Sequence, residues 1–316
     1  MAKLNNIFYG NENEEKLNEI INVLTIQKTK WESINPTHFD LTDKDATKLD
    51  GSHYKNFYLC NSNSIPNLAE STFSKTNNYV TYFSNISNEG LVPEKISVLI
   101  KCENSIKEVL ASQILNYFGC NTAFNFFIKT KNAKENYLGS IDFISENEQF
   151  ETFKNLNIIW TYDLNGILAQ INDKNTFPNI SHQNRKNLKK EIIKSFLTRI
   201  CVLDDFDFDN YNCGILLNKK TNYVKFINFD YELSLAGNSQ EKYINEVMLT
   251  AFTDFPSIYR EFISKTTEIY NVLNEVNLYI EDKNYNNIIT NLKENLVYIL
   301  KKHNELILET NNINNL

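Results

Sequence analysis

The sequence contains few of the residues that build glycine-rich loops, disulfide frames or thiolate metal sites. Its 316 residues include 8 glycines, 5 prolines and 5 cysteines. The cysteines are odd in number and widely spaced, without a CxxC pair: Cys60, Cys102, Cys120, Cys201 and Cys213. Neither a disulfide framework nor a cysteine zinc site is therefore supported, and a reducing compartment is expected. The 4 histidines lie too far apart in the sequence to suggest a local metal pair.

Strong basic patches and long apolar runs are also lacking. The net charge is −7, and the one dense basic segment, Arg185 to Lys190, is interpreted as the polar face of a helix start. This charge argues against a nucleic-acid partner. No apolar run reaches the roughly 18 residues of a membrane span, and the N-terminal MAKLNNIFYGNENEEK has neither the basic flank nor the apolar segment of a secretory signal. A cytoplasmic location without a membrane span is expected.

The remaining composition, 42% hydrophobic and 22% charged, is sufficient for a large buried core. Residues 1–65 combine a predicted helix, Glu14 to Leu24, with polar segments, and are assigned to an extension of unknown role. Residues 66–150 show strand patterns in YVTYFSN, KISVLIK, TAFNFFIKT and YLGSIDFIS, and one helix in SIKEVLASQILNYFG that Gly119 ends. Residues 151–316 are mostly helical, with a hairpin formed by GILLN and YVKFINFD. We predict an α+β protein with a small β-rich first lobe containing one helix and a larger helical second lobe.

The stretch CVLDDFDFDNYNCGILLN places four aspartates within six positions, directly before an apolar strand. An EF-hand calcium loop beginning at Asp205 would need glycine and glutamate where Asn210 and Leu216 stand, so that interpretation fails. A DxD sugar-nucleotide site remains open on weak evidence. Because clustered carboxylates repel one another, a cation or a proton-transfer role is the functional explanation, and a solvated turn is the structural one.

Phosphoryl transfer needs an aspartate near the acceptor hydroxyl, an asparagine and a second aspartate on Mg²⁺, and a lysine held by a glutamate. Asp207 and Asn212 have the D-x-x-x-x-N spacing that places a base and a metal ligand on one loop. Asp230 follows the hairpin that begins after Asn212, which returns it to the same place. Lys101 ends the KISVLIK strand, and Glu108 lies one turn into the next helix.

Each of these residues also has a purely structural explanation. Glu108 completes the capping-box pattern Ser105-x-x-Glu108, and Lys101 fits a solvated strand end. Asn212 fits a turn, and Asp230 fits the end of a strand. The five together, in this order, favour the functional explanation.

These patches resemble the HipA-like protein kinases, including the small secreted-effector members of that group. The resemblance rests on the run from KISVLIK to TAFNFFI, on FDFDNYNCGILLN and on FINFDYELSL, within residues 72 to 316. It implies a two-lobed protein-kinase-like fold that uses ATP and Mg²⁺ to phosphorylate a Ser or Thr hydroxyl on a protein partner. A bacterial toxin or a host-delivered effector with autophosphorylation is implied.

The same resemblance assigns roles to individual residues. Lys101 would hold the α- and β-phosphates, Glu108 would hold Lys101, Asp207 would orient the acceptor hydroxyl, and Asn212 and Asp230 would bind Mg²⁺. The hinge beside the nucleotide falls on Ile141, Asp142 and Phe143. Asp204, Asp205 and Asp209 are expected to be solvated helix-end or loop residues.

The sequence departs from the family pattern at two places, and these departures favour alternatives to an active protein kinase. The family has Arg and His after its catalytic Asp, where this chain has Phe208 and Asp209, and the glycine-rich phosphate loop is replaced by FSKTNNY, residues 73–79. Asn77 and Asn78 in that loop tolerate positive φ and can partly replace glycine at the nucleotide. Phe208 and the glycine-poor loop favour a pseudokinase that acts as a binding module. A kinase for a lipid or small-molecule hydroxyl is a further alternative, because phosphoinositide kinases use a similar loop.

Overall fold

The structure is a computed structural model. It describes residues 11–25, 28–30, 55–61, 79–80, 95–101, 106–129, 136–144, 148–173, 180–205, 207–220, 222–237, 241–275 and 283–314.

The strands of the described residues form two sheets. They are β1 Lys28–Lys30, β2 Lys55–Asn61, β3 Tyr79–Val80, β4 Lys95–Lys101, β5 Thr122–Ala123, β6 Asn125–Lys129, β7 Asn136–Ile141, β8 Glu148–Thr152, β9 Cys213–Asn218 and β10 Val224–Asn228. The first sheet has the order β1-β6-β7-β4-β2, and the second has the order β3-β5-β10-β9-β8.

In the first sheet, β4 lies between β7 and β2 and pairs antiparallel with both. Ile96, Val98 and Ile100 alternate along β4 and are buried, as expected for one face of a strand. The predicted segment 1–65 contributes β1 and β2 to this sheet. The predicted strands TAFNFFIKT and YLGSIDFIS contain β6 and β7, which pair antiparallel with each other.

In the second sheet, β9 and β10 form the predicted hairpin, with Phe226 opposite Ile215. β8, which the sequence analysis did not identify, pairs with β9 on its other side. Of the predicted strand YVTYFSN, the described residues are Tyr79 and Val80, which form β3.

The helices of the described ranges lie mostly in the second half of the chain. They are α1 Asn11–Leu24, α2 Ile106–Tyr117, α3 Leu164–Asn172, α4 His182–Phe196, α5 Glu241–Asp254, α6 Pro256–Glu275 and α7 Lys283–Asn314. A π-helical turn, Leu197–Val202, continues α4. Gly119 has φ 82° just after α2, the left-handed conformation that commonly ends a helix.

One continuous core joins these helices to the second sheet. Ser181 begins α4 by accepting a hydrogen bond from the Asn184 N–H, and the buried side of α4 presents Leu188, Ile192 and Phe196. The α+β class is confirmed, as is the division into a β-rich first part with α2 and a helical second part. No helix of the described residues is long and apolar enough to cross a membrane.

Candidate active site

Lys101 lies at the end of β4 and is buried, with 6% of its surface exposed. Its ammonium Nζ is 3.4 Å from Glu108 Oε1 and 3.2 Å from Asp230 Oδ1. A buried ammonium needs compensating partners, and these two carboxylates provide them. The structure thus brings together three of the residues selected from the sequence, two from the first part of the chain and one from the second.

Glu108 lies in the first turn of α2, and only 1% of its surface is exposed. Helix α2 packs on the first sheet, where Val109 contacts a small apolar cluster with Phe127 and Leu138. This packing directs Glu108 towards the end of β4. Ser105, the cap in the alternative explanation, lies outside the described residues.

Asp207 and Asn212 occupy a tight loop before β9. The Asn212 side-chain amide donates hydrogen bonds to the Asp207 carbonyl oxygen at 2.7 Å and to Asp207 Oδ2 at 3.0 Å. Asn212 is buried and Asp207 is exposed, so the asparagine holds a carboxylate that solvent and a substrate can reach. Since the Asn212 nitrogen is used in this contact, its amide oxygen is the atom suited to ligate a cation.

Three effects act on the pKa of the Asp207 carboxyl. Partial burial is the largest and raises it above its ordinary value, the hydrogen bond from Asn212 lowers it, and the neighbouring carboxylates raise it further. The net shift is upward, which makes Asp207 a better proton acceptor when it is ionised.

Asp230 follows β10, and the β9–β10 hairpin returns it to the Asn212 loop. The pairing of Asn228 with Cys213 sets this position, and the Phe229 N–H donates to the Asn212 carbonyl oxygen at 3.3 Å. The backbone of Asp230 has φ 59°, a left-handed conformation that is uncommon outside glycine. Such conformations persist where the surrounding structure enforces them, and they cluster at functional sites.

Arg199, in the π-helical turn, is the main residue of the site that the sequence analysis missed. It is fully buried, and its Nε donates to Asp205 Oδ2 at 2.7 Å. Its Nη1 donates to the Asn212 carbonyl oxygen at 2.9 Å, and its Nη2 to the Asp230 carbonyl oxygen at 2.7 Å. An arginine within the apolar run LTRICVL was the available signal, because a charge there requires a buried partner.

The expectation that Asp204 and Asp205 are solvated is wrong. Each is 2% exposed. Asp205 is buried because its carboxylate pairs with Arg199, with an Nη2 to Oδ2 distance of 2.5 Å. Asp204 lies where the chain leaves the π-helical turn, with φ 47°. Asp209 is partly exposed and closes a local turn by accepting the Tyr211 N–H at 2.7 Å, as expected for a loop residue.

Asp142 and Phe143 follow β7, at the predicted hinge. The Asp142 N–H donates to the Ser97 carbonyl oxygen at 3.0 Å, and its carboxylate accepts the Ile144 N–H at 3.1 Å. Asp142 therefore extends the pairing between β7 and β4 and closes a short turn. The residue is buried, and this turn fixes its carboxylate beside the backbone.

Phe143 joins two aromatic side chains that the sequence analysis did not select. Its ring centroid is 5.2 Å from that of Phe150, which is 5.5 Å from that of Phe229. The three rings pack over the buried Leu216 and Ile227. They form a half-buried apolar surface between the hinge and Asp230, because Phe229 immediately precedes Asp230.

Gly214 permits this arrangement. A Cβ atom at Gly214 would lie 2.6 Å from Phe150 Cζ and 2.5 Å from the Glu151 carbonyl oxygen. No real side chain tolerates such contacts, so a glycine at this position of β9 lets the Phe150 ring cross the strand.

The donor set fits a magnesium ion. Mg²⁺ is bound by oxygen atoms, usually from one or two protein side chains together with substrate phosphates. Asp230, whose side chain is 29% exposed, and Asn212 offer such oxygens on adjoining loops. Within the described part of the chain, no group of three or more His, Cys, Asp or Glu side chains could hold a metal by itself. The predicted nucleotide contacts Asn77 and Asn78 lie outside the described residues.

Comparisons with known proteins find similarity to solved structures. No family model matches the chain, and no curated protein matches it. The crystal structure of the Helicobacter pylori proinflammatory kinase CtkA is similar, with a TM-score of 0.47 and 16% sequence identity. The similarity covers 68% of this chain and 92% of that one. At this level of similarity, the function rests on the chemistry of the site itself.

Proposed function

We propose that this protein is an ATP- and Mg²⁺-dependent protein kinase of the HipA-like type, with a Ser or Thr hydroxyl as the acceptor. The observation that carries the proposal is the position of Lys101. Its ammonium contacts Glu108 and Asp230 at once, and Asp230 adjoins the Asp207–Asn212 loop. A bacterial toxin or effector role and autophosphorylation belong to the same proposal.

Each residue of the site would have a separate role in the reaction. Lys101, held by Glu108, would neutralise charge on the α- and β-phosphates. Asp207 would accept the proton of the acceptor hydroxyl as its oxygen bonds to the γ-phosphorus. The bond from that phosphorus to the bridging oxygen breaks, and ADP leaves with the electron pair. The Phe143, Phe150 and Phe229 surface would pack against the adenine ring, since adenine offers a flat apolar face.

Asn212 and Asp230 would hold Mg²⁺ through their side-chain oxygens. When bound, the ion neutralises charge that develops on the phosphate oxygens. The left-handed backbone at Asp230 and the amide hydrogen bonds of Asn212 place these side chains before any ligand arrives.

Packing in the core accounts for the phenylalanine at position 208. Its side chain is fully buried, with its ring centroid 4.7 Å from that of Trp160 and 5.2 Å from that of Phe196. The Arg199 guanidinium lies 4.3 Å from the same ring. Phe208 therefore belongs to the core beneath the loop and leaves Asp207 exposed.

The test is phosphoryl transfer from γ-labelled ATP by the purified full chain, with the chain itself and dephosphorylated casein as acceptors. Asp207→Ala should lower transfer by about 10²-fold or more and change Mg·ATP affinity much less, because its proposed contact is with the acceptor hydroxyl and Asn212 keeps its hydrogen bond to the backbone carbonyl oxygen at position 207. Asp230→Ala should lower both transfer and Mg·ATP affinity, because it removes a proposed metal ligand. Calorimetry measures the affinities.

Asp254→Ala, at an exposed position in the last turn of α5, is the matched control and should behave like the wild type. Equal transfer by wild type and Asp207→Ala contradicts the assignment of the base. Binding without transfer supports the pseudokinase. Phosphatidylinositol vesicles are a further acceptor. Transfer of the label to these vesicles, and to neither protein acceptor, supports the lipid alternative.

A further inference from the structure

We infer that Arg199 and Asp205 together are positioning residues for the magnesium site, beyond their part in the buried core. This inference rests on the proposed function, because it concerns the ion that Asn212 and Asp230 would hold. Neither residue would touch the ion or the nucleotide. They would act by fixing the backbone that carries both proposed ligands.

One guanidinium connects the two ligand-bearing loops. The Arg199 Nη1 donates to the Asn212 carbonyl oxygen at 2.9 Å and the Phe229 carbonyl oxygen at 3.2 Å, and its Nη2 donates to the Asp230 carbonyl oxygen at 2.7 Å. The residues on either side of the hairpin are thereby tied to a common centre. Their relative position sets the distance between the two side-chain oxygens that would share a cation.

The hydrogen bond from Arg199 also stabilises the left-handed backbone of Asp230. A left-handed aspartate costs free energy that neighbouring contacts must offset. A hydrogen bond from a charged donor to the Asp230 carbonyl oxygen is one such contact, and charge-assisted hydrogen bonds are stronger than neutral ones. Without it, the peptide after Asp230 is free to turn, and the side chain moves with it.

Two aromatic rings fix the guanidinium plane. The Arg199 Cζ atom lies 4.3 Å from the Phe208 ring centroid and 4.9 Å from the Tyr231 ring centroid. Phe208 follows Asp207 in the sequence, and Tyr231 follows Asp230. The rings therefore transmit the position of Arg199 to the proposed base as well as to the proposed metal ligand.

Asp205 fixes Arg199 from its other side. Its Oδ2 accepts from Nε at 2.7 Å, and neither side chain is exposed. A flat fork with five donors can serve a carboxylate and several carbonyls together, whereas a lysine ammonium has three donors on a flexible stem. Arg199→Lys thus keeps the positive charge beside Asp205 but loses the planar set of guanidinium donors.

The experiment is a Mg²⁺ titration of MANT-labelled AMPPNP binding to the full chain, followed by fluorescence. Arg199→Lys should raise the Mg²⁺ concentration for half-maximal binding by about tenfold, the usual effect of losing a residue that orients metal ligands. Binding measured in EDTA should stay within about twofold of the wild type, because Lys101 and Glu108 are unchanged. A residue that only supports folding would lower the unfolding temperature without moving the Mg²⁺ midpoint.

Arg185→Lys is the matched control. Arg185 also donates to backbone carbonyl oxygens, those of Ile171 at 2.6 Å and Asp173 at 3.3 Å, and these acceptors lie at the end of α3 rather than in the site. Its substitution should leave the Mg²⁺ midpoint unchanged.

Asp205→Asn provides a second variant if Arg199→Lys does not fold, since it keeps the shape of Asp205 and one acceptor oxygen. It too should raise the Mg²⁺ midpoint. If Arg199→Lys folds and has the wild-type Mg²⁺ midpoint, the inference is wrong and the proposed function is unaffected. If Arg199→Lys does not fold, the same result with a folded Asp205→Asn leads to the same conclusion. If wild-type binding does not respond to Mg²⁺ at all, the proposed magnesium site itself is wrong.

Discussion

At the scale of single residues, the buried carboxylate of Glu108 separates two explanations that its sequence position allowed. A capping glutamate reaches back to the backbone at the start of its helix. The observed Glu108 lies within 3.4 Å of the Lys101 ammonium and is almost fully buried. Its geometry favours the partner of a lysine.

Glu108→Gln tests this assignment. The amide keeps the shape and satisfies a capping box, but it loses the charge that opposes Lys101. We therefore expect nucleotide affinity to fall by about tenfold and the unfolding temperature to fall as well, because the buried ammonium loses one of its two carboxylate partners. Calorimetry with Mg·ATP and thermal unfolding measure the two effects. Glu246→Gln, at an exposed position in α5, should change neither. Unaltered affinity in Glu108→Gln would return the residue to the capping explanation.

Glu191, in α4, predicts how stability depends on pH. Its carboxylate accepts the Phe226 N–H at 2.7 Å, which ties α4 to β10, and burial raises its pKa from 4.5 to about 7. The folded protein then binds this proton more tightly than the unfolded chain does. The stability from this group is complete below pH 4.5 and is lost as pH rises through about 7.

Glu191→Gln should remove that loss, because the amide oxygen still accepts the Phe226 N–H and carries no charge. We expect the variant to gain about 3 kcal/mol of unfolding free energy over the wild type at neutral pH relative to acidic pH, since one pKa unit corresponds to about 1.4 kcal/mol. Urea unfolding on both sides of the window measures the difference. If the unfolding free energies of the two proteins change with pH in parallel, the pKa of Glu191 does not differ between the folded and unfolded states.

At the scale of elements, α1 braces the helix that carries Glu108. The Gln113 side-chain amide donates to the carbonyl oxygens of Asn22, Val23 and Thr25, at 3.2, 2.7 and 2.6 Å. These carbonyls lie at and just after the end of α1, where backbone donors become scarce, although the Asn22 carbonyl oxygen also accepts the Thr25 N–H at 3.2 Å. The predicted helix of unknown role is therefore joined to α2.

Gln113→Leu should weaken the contact between α1 and α2. The leucine fills a similar volume but leaves those carbonyls without that donor, so we expect a loss of about 1–3 kcal/mol in unfolding free energy. Hydrogen exchange should become faster in α1 and α2. Gln149→Leu, at an exposed position in β8, is the control and should leave both quantities unchanged. If exchange in α1 matches the wild type, this contact depends on apolar packing instead.

At the scale of the whole molecule, the site lies where the two sheets approach each other. Lys101 from the first sheet meets Asp230 beside the second, across 129 residues of sequence. The helical core supplies Arg199 from beneath, through the π-helical turn. A ligand bound here would contact elements from both parts of the chain, so its binding would stabilise their contact.

Local patterns predicted the elements better than their contacts. Alternation identified β4, helical spacing identified α2 with its stop at Gly119, and the β9–β10 hairpin followed from two apolar runs around a turn. The spacing of Asp207 and Asn212 predicted their shared loop, because residues five apart across a turn are neighbours by covalent geometry alone. β8 was missed because EQFET lacks a strong apolar alternation.

The sequence by itself determined the α+β class, the order of the elements and the residue types available for phosphoryl transfer. Only the tertiary structure decided that Asp205 is buried against Arg199, that Phe150 and Phe229 extend the surface at Phe143, and that Lys101 reaches Asp230. The reason is physical: hydrophobic periodicity reports which face of an element is buried, but not what it is buried against. A charged side chain in an apolar run shows that a partner must exist, and packing of the whole chain selects that partner.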